Sequence, residues 1–136
     1  MIVKPSILGK GKTVDILVFG EAPGPEEAKK GLAFIGPSGD IIQQILKAEF
    51  PKKTIVLDNV CPEWLGSIKT PGKPGNFVKP NAEKLNEYKA YREDRIKECN
   101  PKVILLLGDV AKKAFRFTGQ ITKIAGKVEN VRDSTI

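Results

Sequence analysis

Asp15 to Leu46 reads DILVFGEAPGPEEAKKGLAFIGPSGDIIQQIL, and this stretch decides the fold. Asp15–Phe19 is a β-branched and Leu-rich run closed by Gly20, the pattern of a strand buried on both faces of a parallel sheet. A turn rich in Gly and Pro follows, and then the period changes. Ser38 is placed to cap a helix that carries Ile41, Ile42, Ile45 and Leu46 on one face. A strand feeding through a turn into an amphipathic helix is one half of a βαβ unit.

The rest of the chain repeats that alternation. Thr54–Val60 (TIVLDNV) and Lys102–Leu107 (KVILLL) read as two more buried strands. Asn81 can cap a helix from Ala82 to Glu98, where Leu85, Tyr88, Arg92, Ile96 and Cys99 form a stripe facing the sheet. A third helix, Asp109–Phe117, starts directly after Gly108. The predicted fold class is therefore α/β, a three-layer α-β-α arrangement with a central, mostly parallel sheet and right-handed crossovers. The whole of 1–136 is expected to be one domain. Pro62–Pro80 breaks the alternation with four prolines, three glycines and Lys69, Lys73 and Lys79, and loops this long in compact domains usually carry function. The tail from Ile121 to Val131 fits a small hairpin around Gly126 and points to no function.

Composition narrows the chemistry. The chain has 136 residues, 23 Lys and Arg against 16 Asp and Glu, and a net charge of +7. That balance favours a polyanionic partner such as nucleic acid, although a merely solvated basic surface accounts for it equally well. Two cysteines, Cys61 and Cys99, have neither zinc nor disulfide spacing, and both are expected as reduced thiols in a cytoplasmic protein. No apolar run approaches the roughly 20 residues that span a bilayer, so no membrane partner is expected. There is no histidine. Acid and base work within this chain falls to carboxylates, lysines, backbone groups or water, and His-dependent zinc sites and nucleophiles are excluded.

In open parallel sheets, ligands bind beyond the carboxyl ends of the strands. This rule brings Glu21, Asn59 and Asp109 toward one crevice. Neither G-x-x-x-x-G-K-[ST] nor G-x-G-x-x-G is present, which disfavours a P-loop or dinucleotide enzyme. Gly31–Asp40 (GLAFIGPSGD) brings glycine backbone close to a ligand, with Phe34 beside it and a helix N-terminus suited to phosphate. Spacing alone favours Phe34 as a core residue.

These residues carry a family resemblance. Gly20–Leu46 resembles the first motif of the uracil-DNA glycosylase superfamily, most of all its thermophilic iron-sulfur branch, with a pattern near G-E-x-P-G-x-x-E-x-x-x-G-x-P-F-x-G-x-[AS]-G-x-L-L. Asn59-Val60, Pro74-Gly75-Asn76 and an ungapped stretch from Pro80 to Gly108 continue it, so the similar parts span about 15–118. The resemblance implies that Phe34 stacks on an extruded uracil, a contact typically worth about 1–3 kcal/mol. It implies that Asn59 reads the base, donating to O4 and accepting from N3–H. Gly20, Gly36 and Ser38 would complete the substrate pocket, and Glu21 with the Ala22 backbone would place water or the uracil O2. Lys69, Lys73, Lys79 and Lys112 are candidates for phosphate contacts.

Two departures follow from the same comparison. The iron-sulfur branch holds its cluster through an N-terminal Cys pair and two later cysteines. Here 1–14 has none, the later positions fall on Glu63 and Tyr88, and no cluster, metal or other cofactor is expected. The family's second motif, His-Pro-Ser, would be expected beyond Ile136, so the protein either lacks it or continues past this sequence. The leading expectation is a uracil-DNA glycosylase that hydrolyses the glycosidic bond of a flipped uracil, with uracil-containing DNA as partner. The alternative is a degenerate member that binds DNA or another protein without cleaving it. A third reading, a nucleotide-binding domain unrelated to DNA, rests on fold alone.

Overall fold

Ile16–Gly20 is buried along its whole length, as an unbroken apolar run requires when helices cover both faces of a sheet. The computed structural model of the chain describes residues 2–68 and 76–115. It contains strands β1 (Ser6–Leu8), β2 (Ile16–Gly20), β3 (Ile55–Asn59), β4 (Ser67–Ile68), β5 (Asn76–Phe77) and β6 (Val103–Leu106), and helices α1 (Pro25–Lys30), α2 (Pro37–Glu49), α3 (Ala82–Glu87), α4 (Lys89–Cys99) and α5 (Asp109–Ala114). The main sheet has the order β1-β3-β2-β6. β2 runs parallel to β3 and to β6, with Ile16 opposite Ile55 and Val103. β1 pairs with β3 in the antiparallel sense, so the sheet is mixed at that edge.

Side chains alternate across β2, and each face builds its own core. Leu17 and Phe19 join Val56, Leu85, Ile104, Leu106 and Ala111, with Ile96, Cys99 and Phe115 packed against them. Val18 and Ile16 join Leu57, Ile55 and Leu46, with Phe34, Ile42 and Leu105 alongside. Helices α3, α4 and α5 thus cover one face and α2 the other. The fold is α/β, with helices on both faces of a mostly parallel sheet. No described helix is long and apolar enough to cross a membrane.

Several local expectations are corrected. α2 begins with Pro37 at its first helical position and Gly36 as its N-cap, because proline is preorganised for that position and needs no hydrogen-bonded N–H. Ser38 therefore lies inside the first turn and does not cap the helix. Ile42 and Leu46 face the sheet, whereas Ile41 and Ile45 are exposed, since the helix touches the sheet along a narrower stripe than four apolar positions suggest. The long helix expected over Ala82–Glu98 is two helices, broken at Tyr88 with φ −99° and ψ 15°. Asn81 does cap the first of them, its Oδ1 accepting from Lys84 N at 2.8 Å. The last described helix ends at Ala114. The suggested hairpin at Ile121–Val131 lies outside the described residues. β1 and α1 were not foreseen, both being short and without clear periodicity.

Candidate active site: the cleft at the strand ends

β2 and β3 end in register, Gly20 opposite Asn59, and hydrogen bonding continues past them. Val60 N donates to Gly20 O at 2.9 Å, Cys61 N to Glu21 O at 3.1 Å and Leu107 N to Phe19 O at 2.9 Å. The turns leaving the strands are thereby held beside one another, and they enclose a cleft of about 510 Å³. Gly20, Glu21, Ala22, Phe34, Gly36, Ser38 and Asn59 all line it. Every residue assigned from the sequence to the catalytic or base-binding group thus meets in one place. Asp109 does not join them. It pairs with Lys113 on its own helix at 3.2 Å, and Leu107 and Gly108 line the cleft in its stead.

The floor of the cleft depends on Gly20 having no side chain. A Cβ there would lie 2.8 Å from Phe34 Cζ and 3.0 Å from Asn59 Oδ1, so ring and carboxamide approach the same bare backbone. Phe34 is held in the left-handed region with φ +58°, an uncommon and strained conformation for a bulky side chain. Two contacts hold it. Gln43 Nε2 donates to Phe34 O at 2.5 Å. Gly39 packs so closely that a Cβ there would come within 2.5 Å of Phe34 Cα. Asn59 is buried, yet among the described residues its carboxamide has no hydrogen-bond partner.

Glu27 was given no role in the sequence analysis, though it occupies the second fixed glutamate of the motif. Its carboxylate is buried and accepts from Gly24 N and Ile35 N, each at 3.0 Å, and from Gly36 N. It ties the turn after β2 to the turn before α2, the two walls of the cleft. Phe77 was also missed, because it lies in a loop without periodicity. Its exposed ring lines the mouth of the cleft and meets Trp64 edge to face at 5.2 Å.

Asp58 precedes Asn59 and points to the opposite face. It is fully buried; its oxygens accept from Tyr91 Oη at 2.7 and 2.9 Å, from Arg95 Nε at 2.8 Å and from the Asn59 backbone N at 2.8 Å. Burial pushes its carboxyl above the ordinary range, while Tyr91, the Asn59 amide and Arg95 pull it back. This network anchors the end of β3 to α4.

Of the lysines assigned to DNA, Lys79 is exposed and lines a neighbouring cavity instead of the cleft. Lys112 lies half-buried on α5. Lys69 and Lys73 fall outside the described residues.

The residues present do not suit an iron-sulfur cluster. Thiolates are its usual ligands, whereas Tyr88 Oη donates to Glu63 Oε1 at 2.9 Å and Lys84 Nζ lies 3.2 Å from Glu63 Oε2. The Tyr88 hydroxyl pulls the Glu63 carboxyl below its ordinary range, and burial with the Glu63 carboxylate pushes Tyr88 up to about 12. Burial also pushes both thiols up, the property of unreactive cysteines. Among the described residues, no three His, Cys, Asp or Glu side chains are grouped to hold a metal.

An aromatic ring, a carboxamide without a described partner and glycine-bared backbone thus line one cleft at the ends of the parallel strands of an α/β protein. Residues 8–133 match the family model of the uracil DNA glycosylase superfamily. The chain belongs to that superfamily. It is 29% identical over 120 residues to the type-4 uracil-DNA glycosylase of Sulfurisphaera tokodaii, an alignment covering 83% of this chain. The chain spans about half, 50%, of the length of that curated relative.

Proposed function

We propose that this protein binds a uracil flipped out of DNA and hydrolyses its glycosidic bond. The observation that carries the reading is the meeting of Phe34 and Asn59 over Gly20. Phe34 offers a face for the base, and its strained backbone preorganises the ring before the ligand arrives. Asn59 offers one donor and one acceptor, as uracil requires at O4 and N3–H. Cytosine presents the reverse pattern. Membership of the superfamily and the similarity to a type-4 uracil-DNA glycosylase support the same substrate class.

Cleavage places negative charge on the leaving base, chiefly at O2, and positive character on the sugar. In this reading Glu21 orients water toward the sugar carbon, and the backbone N–H of Ala22 meets the developing oxyanion. With no histidine among the 136 residues, no imidazole of this chain assists. Loss of one oxyanion donor typically lowers the rate about 10²–10³-fold, so turnover by these 136 residues alone is expected to be slow. For these 136 residues by themselves, a second reading is a DNA-binding domain that does not cleave.

The test incubates the purified protein with single-stranded oligonucleotides that differ only in one uracil, thymine or cytosine, and then treats them with alkali. Scission at uracil alone, lost in Asn59→Ala, supports excision. Uracil-preferring binding without scission supports the second reading, and equal binding of all three with no scission refutes the assignment of the cleft.

A further inference from the structure

A second cavity of about 560 Å³ lies beside the cleft. Neighbouring segments line the two: Phe77, Leu107 and Gly108 face the cleft, whereas Lys79, Val110 and Lys113 face the second cavity. Two residues of extended chain reach at most about 7 Å, so Lys79 lies within one nucleotide step of the cleft mouth. Asn81, Asn86 and Arg92 complete the polar lining, and among the described residues no carboxylate faces the space.

Arg92 is the decisive residue. It is only 5% exposed, a level at which arginine is ordinarily paired with an acid. No described carboxylate pairs with it. Its Nη1 donates to Leu85 O at 2.7 Å and Val60 O at 3.2 Å, and the Phe115 ring sits 5.9 Å from its Cζ. Among the described residues Nη2 and Nε have no partner, and Arg92 lines this cavity. A buried guanidinium with free donors, two lysines and two carboxamides make a site for a tetrahedral oxyanion. Lys113 is also paired with Asp109 at the surface, where such a pair is weak.

We propose that this cavity binds a backbone phosphate of the strand whose base enters the cleft, a neighbour of the flipped nucleotide. The proposal rests on DNA being the ligand of the cleft. It gives Lys79, Lys113 and Arg92 one shared phosphate, with the Phe77 ring standing between that phosphate and the base pocket.

The experiment measures anisotropy of labelled single-stranded oligonucleotides, one all-thymine and one with a single uracil, across a salt series. It compares the parent, Lys79→Ala/Lys113→Ala and Arg92→Lys, the last keeping charge but losing the fork. One lost phosphate contact lowers the salt slope by about 0.7 for a single strand. The double variant is expected to bind both oligonucleotides about ten-fold more weakly, with the slope reduced by that single step and the uracil preference intact. Arg92→Lys is expected to weaken both in the same ratio. An unchanged slope overturns the proposal. So does competition by inorganic phosphate that the double variant abolishes while oligonucleotide binding stays unchanged, since the site then serves a free anion. A parent with no uracil preference but a slope that falls in the double variant sinks the uracil assignment alone.

Discussion

Asp58 and Asn59 are consecutive residues of one strand, both buried, and they face opposite sides of the sheet with opposite use of their polar atoms. On the helix-covered side Asp58 is saturated: Tyr91, Arg95 and a backbone amide meet its two oxygens. On the cleft side Asn59 has no partner among the described residues. Burying a polar group costs free energy unless it is bonded. One side of the strand end has met that cost with protein partners, whereas on the other the carboxamide has none among the described residues and opens on the cleft. In the proposed function, the difference separates a residue that holds the structure from one that reads the base.

The sharpest way to break this comparison is to truncate both residues. Asp58→Ala removes the anion from a buried pair and strands Arg95 beside an empty site, which is expected to cost about 3 kcal/mol or somewhat more in urea unfolding. Asn59→Ala removes a group with no described partner and is expected to cost less than about 1 kcal/mol, yet it should abolish discrimination between uracil and cytosine. Equal losses of stability in the two variants would show that Asn59 is structural and would refute the contrast.

Gly39→Ala strikes the cleft wall without touching a ligand group. The new methyl meets backbone atoms of Phe34, which cannot swing aside as the end of a side chain can. Overpacking of this kind costs about 1–3 kcal/mol, and the displaced ring should bind uracil oligonucleotides more weakly in anisotropy titrations while the thymine control is unaffected. Glu27→Gln is expected to be milder. An amide has one acceptor oxygen where Glu27 uses both, so one of the two walls loses its bond, at about 1–2 kcal/mol by urea unfolding. A variant as stable as the parent would mean that the walls are held elsewhere.

Much of this arrangement was legible in the sequence, and the reasons are particular. The three parallel strands could be read because burial on both faces demands unbroken apolar runs, and Ile16–Gly20, Ile55–Asn59 and Val103–Leu106 obey it within a residue or two. The cleft could be read because ligands collect at such strand ends. Asp109 was misplaced because a residue after a strand points into the crevice only if nothing nearer competes, and Lys113 lies one turn along on the same helix. Glu27 was overlooked because a glutamate in an exposed-looking run of EEAKK gives no sign that it accepts three backbone amides from two turns. Arg92 was read as part of a stripe facing the sheet, correctly for burial, but its missing acid partner is a fact of three dimensions.

The smallest expected effect sharpens the bonded side of the comparison. The Tyr88 hydroxyl and Lys84 hold the Glu63 carboxyl below its ordinary value of 4.5. A carboxyl with a depressed folded pKa contributes stability that is complete above the unfolded value and is lost as pH falls toward the folded one. Glu63→Gln should therefore melt below the parent at about pH 6, and the gap should close on acidification toward about pH 3. Asp15 is lowered in the same sense by the Thr54 amide and Lys102, but it is present in both chains and cancels from the difference. A gap that stays constant with pH would mean that Glu63 stabilises through shape alone. A gap that closes would place it with Asp58, among the carboxylates whose charge is answered within the protein.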